Sequence, residues 1–383
     1  MRFPEFSGEW ECVPLSTYAK KITEKNKGNK IKNVLCNSAT QGIVPQSEYF
    51  DREIANNENT DGYYVVRNQD FVYNPRKSVS APYGPVNIYN GDDDGIISPL
   101  YLCMEISGID KNYLLHYFKS PAWYPYIYQN GDSGVRHDRV SIKDEVFLAM
   151  PVSVPTEDEQ RKIAKFLDAI NERIATQNKI IEELTTLRSA LIEKCSKQSG
   201  VLYYLSDILQ EVDERSTVVN QYQVLSSTVK GIFSQKEYFN KDIASEDNKG
   251  YKVVRRCQVV LSPQNLWMGN INFNDRFDIG IVSPSYKVYS IREGFNPIFI
   301  ASLLKTKKAL YEYMLASEQG ASIVRRNLNV EAFMAIKFRI PDSSQQNSLS
   351  LAITAINAKL DNEQAILKRL SMQKSSLLEN MFI

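Results

Sequence analysis

Histidine is nearly missing from this chain. Its 383 residues include two, His116 and His137, which leaves little material for metal binding or acid–base chemistry near neutral pH. The five cysteines (Cys12, Cys36, Cys103, Cys195, Cys257) are far apart, odd in number and form no CxxC pair, so neither a disulfide framework nor a zinc site is expected. No apolar run reaches the roughly 20 residues that a membrane span needs. The opening "MRFPEFSGEW" has no signal-peptide core, so a cytoplasmic protein with no membrane partner is expected. Neither charge is in excess. With 46 basic and 45 acidic residues the net charge is +1, which argues against holding nucleic acid by bulk electrostatics and leaves local basic patches open.

What the chain does have is tyrosine, 22 residues of it, a side chain that suits both strands and recognition surfaces. The length suggests two or three domains. It also has itself twice. "QGIVPQSEYFDREIA" (Gln41–Ala55) matches "KGIFSQKEYFNKDIA" (Lys230–Ala244) at an offset of 189 residues. "GYYVVR" at Gly62 matches "GYKVVR" at Gly250, and "GIISPLY" at Gly95 matches "GIVSPSY" at Gly280, at offsets of 188 and 185. The stretch from Pro155 matches the one from Pro341 at 186. Four matches in the same order define two tandem copies of one unit, too few for a solenoid and suited to a pseudo-two-fold pair.

Within each copy, "GYYVVR" and "DFVYNP" are short apolar runs bounded by Asn, Asp, Gly and Pro, hence strands. "KNYLLHYFKS" (Lys111–Ser120) and "NPIFIASLLKTKKALYEYM" (Asn296–Met314) have one apolar face and read as helices, which places His116 in a core. The acidic turn Asp92, Asp93 and Asp94 is absent from the second copy, which disfavours a metal site there. The fold class is α+β.

Each copy ends in a long helix. Thr156 followed by Glu159 forms a capping-box pattern after Pro155, and Asp342 followed by Gln345 repeats it. Apolar residues then recur in steps of four and three. The first helix gives Ile163, Leu167, Ile170, Ile174, Ile181, Leu184 and Leu191; the second gives Leu349, Ile353, Ile356, Leu360, Leu367, Leu370 and Leu377. This is an a/d seam over about four heptads. Its interruptions also match, Gln177 with Glu363 and Arg188 with Lys374. One reading packs each helix on its own module; the other pairs the two helices. If paired along their lengths they run antiparallel, with Ile163 near Leu377 and Gln177 opposite Glu363, as a rod of about 55 Å. The expected organisation is a module over 1–154, a helix over 155–198, a second module over 199–340 and a second helix over 341–383.

"RFPEFSGEWE", "DGYYVVRNQDFVYNPR", "DGIISPLY" and "PTEDEQRKIAKFLDAINERI" resemble the specificity (S) subunit of Type I restriction–modification systems. The second copy departs from the pattern, reading "PDSSQQNSLSLAI" without the Glu-Gln pair. The resemblance implies two target-recognition domains, each reading one half of a bipartite double-stranded DNA site. It also implies paired helices that set the half-site spacing and dock two methyltransferase subunits, which restriction subunits can join. Catalysis would then belong to the partners, with no cofactor in this chain. In keeping with that, the sequence has no Gly-rich S-adenosylmethionine loop, no D/N-P-P-Y/F motif and no Walker A motif. A scaffold that reads no DNA, and an enzyme with divergent motifs, are the rival classes.

Base edges call for Arg, Asn or Gln, and phosphates for Arg or Lys. Candidates are polar residues at corresponding loop positions. Arg76 and Lys77 align with Gln264 and Asn265, the chemistry that two different half-sites would require. Arg67 and Arg255 correspond, with Arg256 beside the latter, and suit phosphate contacts or internal ion pairs. Arg136, Arg139, Arg325 and Arg326 lie in the basic stretches "GVRHDR" and "SIVRRN" near the end of each module.

Overall fold

In each module a run of three apolar strand residues, Phe71–Tyr73 or Val259–Leu261, is buried on both faces, and the rest of the module is built around it. A computed structural model describes residues 1–49, 60–132, 138–198, 200–239, 247–319 and 326–382. In the strand Phe71–Tyr73, side chains alternate as a strand requires. Phe71 and Tyr73 enter the main core of the first module, while Val72 joins a smaller cluster with Leu35, Val66 and Ile97. In the strand Gln258–Leu261 the same division sends Val259 and Leu261 one way and Val260 the other.

Each of these strands lies inside a four-stranded antiparallel sheet of the same order. The first runs Ala19–Lys21, Leu102–Ile106, Phe71–Tyr73, Val86–Ile88; the second runs Leu209–Val212, Lys287–Ile291, Gln258–Leu261, Ile271–Phe273. The sequence repeat is therefore a repeat of topology. A two-stranded pair (Tyr64–Val66 with Gly95–Ile97; Lys252–Arg255 with Ile279–Val282) and a hairpin (Leu35–Ser38 with Gly42–Pro45; Leu225–Thr228 with Gly231–Ser234) complete the layer. The glycine of the repeated "GIISP/GIVSP" motif is explained here. A Cβ on Gly95 would lie 2.2 Å from Leu35 Cδ1, and one on Gly280 would lie 2.4 Å from Leu225 Cδ1. The hairpin leucine can cover the small cluster only where its neighbour has no side chain.

Strand Glu11–Pro14 pairs with Pro151–Val154, and Val201–Tyr204 with Lys337–Ile340, so the first and last strands of each module lie side by side where a long helix begins. The helix Lys111–Lys119 is capped by Asp110, which accepts from Tyr113 N. Its expected counterpart over Asn296–Met314 is instead two helices, Pro297–Leu303 and Lys307–Leu315. The Thr306 hydroxyl accepts from Ala309 N, so a new helix starts where a single one was expected to continue. The cysteines Cys12, Cys36, Cys103 and Cys257 are free thiols. No described helix is long and apolar enough to cross a membrane.

The long helices span Glu157–Gln198 and Ser343–Met381. The chain divides into two compact units, Met1–Gln177 with Ile366–Ile383, and Asn178–Ala365, so the division falls inside both helices. In the first unit, Ile163, Leu167 and Ile170 share a core with Leu377, Leu378, Met381 and Phe382. Direction follows from two ties. The Met1–Arg2 end meets both Asn380 and Glu159, while His116 bonds Asp168 at 2.8 Å and lies close enough to Lys374 for that cation to lower its pKa. The two helix segments of this unit are therefore antiparallel. In the second unit Ile192 and Ile353 lie in one core and Arg188 donates to Asn357 at 2.8 Å, again antiparallel. Packing on a module and packing on the other helix thus occur together within each unit.

The seam expected from the sequence is partly displaced. Ile163, Leu167, Ile170, Ile353, Leu360, Leu370 and Leu377 are buried; Ile174, Ile181, Leu184, Leu191, Leu349, Ile356 and Leu367 are half-buried. Ile192, not Leu191, is the buried residue near the end of the first helix. A 3.6-residue turn drifts from a strict heptad, and over four heptads the drift amounts to about one position. Gln177 and Glu363 are both buried, and Lys359 pairs with Glu363 one turn away.

Phe382 packs at 5.5 Å from Tyr113 and 5.9 Å from Tyr117 (ring centroids) and is 5% exposed. Phe382→Ala should cost about 3–5 kcal/mol. Hydrogen exchange should accelerate in the first unit and stay unchanged in the second. Burial pushes the His116 imidazole below its ordinary range against the pull of Asp168. A depressed folded pKa gives stability that is complete above about pH 6.5 and is lost as the pH falls. The urea midpoint of the first unit should therefore drop from pH 7 to pH 5, and His116→Gln should shrink that drop.

Candidate nucleic-acid interface

After strand Phe71–Tyr73 the chain turns at Asn74, which is buried. Its side chain donates to Asn37 O at 2.9 Å and accepts from Arg76 N at 3.0 Å, fixing the direction in which the following loop leaves the sheet. That loop then meets a second segment. Arg76 and Arg139 form an antiparallel bridge, flanked by Lys77 N donating to Asp138 O at 2.8 Å and Val140 N donating to Pro75 O at 2.9 Å. Asp132 bridges Ser141, so Arg139 lies on the returning arm of a hairpin. The second module repeats the arrangement. Strands Ser317–Gln319 and Arg326–Leu328 form the hairpin, and Arg326 N donates to Gln264 O at 3.1 Å. The structure thus joins two stretches that are 63 residues apart in one module and 62 in the other. Arg136 and Arg325 lie outside the described residues.

The exposed side chains differ between the two modules. Arg76 and Arg139 are exposed and Lys77 is half-buried, and none of the three has a described carboxylate within ion-pair distance. In the second module Gln264 is exposed and Asn265 half-buried. Arg326 is drawn back, its guanidinium 4.8 Å from the centre of the Trp267 ring and its Nε buried.

Arg67, Arg255 and Arg256 are ion-paired. Arg67 makes a two-pronged pair with Glu24 (2.8 and 2.9 Å) and lies 3.5 Å from Asp94; Arg255 makes the equivalent pair with Glu214 (3.0 and 2.7 Å). Each arginine holds its glutamate below the ordinary carboxylate range. Arg256 bonds Asp278 at 2.8 Å. All these pairs are well exposed and screened by solvent, so they act as surface ties between neighbouring segments. Asp94 of the acidic turn is a partner of Arg67, and no group of potential metal ligands occurs among the described residues.

Beneath each loop is a buried amide cluster with no signature short of the repeat itself. Asn37 donates to Val72 O at 2.7 Å and Pro85 O at 3.3 Å; Asn87 donates to Ser38 O at 3.0 Å. In the second module Asn272 donates to Ser227 Oγ and Thr228 O, both at 2.7 Å, and Asn270 donates to Ser227 O at 3.0 Å. Asn87 and Asn272 stand at an offset of 185, the same as the GI-SP motif, which is the one sequence signal that could have found them.

A second pair of equivalent residues anchors the helix starts. Gln160 accepts from Asp110 N and donates to Pro155 O, both at 2.9 Å; Gln346 accepts from Asn296 N at 2.8 Å and donates to Pro341 O at 2.9 Å. Glu159, fully buried, goes to Arg2 rather than closing a capping box with Thr156, and the neutral Gln345 stands in its place in the second copy.

Residues 9–186 match the family model of the Type I restriction modification DNA specificity domain. Over those residues the chain is similar to a Type I specificity domain. From residue 9 on, its first module and most of its first long helix lie inside the matched segment, and its second module repeats the topology of the first. Among solved structures, the chain is similar to the S subunit of a Type I restriction–modification system from M. genitalium, at 14% identity and a TM-score of 0.55, with 100% of this chain and 99% of that one covered. It is also similar to a chain from a study of complex assembly and conformational transition in the type I R-M system, at 12% identity and a TM-score of 0.56, covering 98% and 97%. The shared fold therefore extends over both modules and both helices. No curated protein matches by sequence.

Asn37→Ala removes two buried donations, to Val72 O and Pro85 O, and the oxygen that accepts from Asn87. It should cost about 2–3 kcal/mol. Amides of residues 72–88 should exchange faster, with residues 255–275 unaffected.

Proposed function

We propose that this chain is the DNA-recognition subunit of a Type I restriction–modification complex, with each module reading one half of a bipartite double-stranded site. One observation carries the reading. Two modules of the same topology present, on equivalent loops, different exposed chemistry: Arg76, Lys77 and Arg139 in one, Gln264 and Asn265 in the other. A scaffold has no use for a repeated loop whose exposed side chains change while its buried amide support is kept. Phosphate contacts position such a loop and base contacts specify it.

The long helices are the spacer and the docking surface for two methyltransferase subunits, which restriction subunits can join. Methyl transfer and cleavage are then the partners' chemistry. A near-neutral subunit gains little from counterion release by itself and relies on the assembled complex to hold DNA.

Methylome sequencing with the chain present and deleted tests the reading. A bipartite methylated motif should vanish on deletion, and a motif that persists would remove the proposal. Replacing residues 1–154 with the first module of another specificity subunit should change one half of that motif and leave the other half and the spacer unaltered. A change in both halves would sink the assignment of one module to one half-site. Inserting seven residues after Gln177 and seven after Glu363 lengthens the helical spacer by about 10 Å, or about three base pairs. An active variant that still methylates at the original spacing would remove the spacer role.

A further inference from the structure

Resting on that reading, we infer that the half-site read by the first module contains a G·C pair recognised through Arg76 and Arg139. The half-site read by the second contains an A·T pair recognised through Gln264. The inference comes from what each loop can donate and accept. The hydrogen bonds of the Arg76–Arg139 bridge flank the pair and do not join its members. This is the closely spaced class of antiparallel partners, with Cα atoms about 4.5 Å apart and side chains on one face. Two exposed guanidiniums therefore leave the surface together from different segments, with no described carboxylate between them.

A guanidinium carries only donors. Two of them side by side repel, and the arrangement is completed by a partner that offers acceptors alone. In the major groove guanine presents such an edge, N7 and O6, both acceptors. Adenine offers one acceptor and one donor, and its N6 amino group would face a donor.

The second module changes this chemistry by two steps. Gln264 stands where Arg76 does, so the exposed group becomes a primary amide with one acceptor oxygen and a two-proton donor. Arg326, which stands where Arg139 does, is withdrawn over Trp267 and is half-buried. The contact between the segments is also different: Arg326 N bonds Gln264 O directly. What this loop offers outward is a donor and an acceptor in one plane, the complement of adenine N7 and N6. Asn265, half-buried beside it, is of the same chemical type.

The test is competition binding by the complete complex of this chain with its methyltransferase partners. The duplexes carry each base pair at each specified position of the methylome motif. The wild-type complex, Arg76→Gln, Arg139→Gln and Gln264→Arg are compared. Arg76→Gln and Arg139→Gln should each relax preference at a G·C pair in one half-site by roughly 5- to 150-fold, leaving the other half-site untouched. Gln264→Arg should shift preference at one position of the other half-site from A·T toward G·C.

Three results would overturn the assignment alone. The first is a position relaxed by Arg76→Gln that is A·T in the wild-type motif. The second is a uniform loss across all duplexes with a salt slope lowered by about one, which marks a phosphate contact. The third is no change in either half-site. A motif that survives deletion of the chain overturns the DNA-reading role itself, and the base assignment with it.

Discussion

Everything in each module hangs on a short strand that has no solvent face. Phe71–Tyr73 and Gln258–Leu261 divide their side chains between a large core and a small one, so neither strand can slip by a residue without exchanging its two sets of neighbours. The loop that leaves the strand starts from a fixed point, and Asn74 or its counterpart turn sets where it goes. Buried amides then satisfy carbonyls of the strand and of the neighbouring hairpin. A side chain displayed on such a loop is placed by the core and can be exchanged without disturbing it. That separation of support from display allows one topology to occur twice with two different surfaces.

The helices obey a parallel constraint. Gln160 and Gln346 are the same residue making the same two bonds, because each helix start must be tied both to the preceding proline and to the start of another helix in its module. Glu159 and Gln345 differ because a carboxylate at zero exposure needs a cation and Arg2 provides one, whereas an amide does not. The apparent loss of the Glu-Gln pair in the second copy therefore keeps the structural half of the motif.

Much of this was legible from the chain alone. The repeat exposed the two modules, short apolar runs bounded by turn residues gave the strands, and capping and spacing gave both long helices. The contact between Arg76 and Arg139 was not legible, since it depends on a hairpin pairing with a loop across 63 positions, and no local pattern encodes such a pairing. The roles of Arg67 and Arg255 were half legible. Their equivalence was visible, but their partners Glu24 and Glu214 are about 40 residues away and became neighbours only through folding. The break at Thr306 was missed because a hydroxyl that can cap a helix is also tolerated inside one. The seam drifted from Leu191 to Ile192 because heptad counting accumulates error with length.

The first compact unit combines residues 1–177 with residues 366–383, while the second is the continuous stretch between them. On the ribosome the order of completion is therefore inverted. The module made first lacks the residues from Leu377 to Phe382 that fill its core until the second long helix has been made. The module made second has all its own residues once position 365 has emerged. Over that interval the first module presents an open apolar gap around Tyr113 and Tyr117, the kind of surface that chaperones bind and proteases find. Loss of the residues from Leu377 to Phe382 would thus be felt by the module that was translated first.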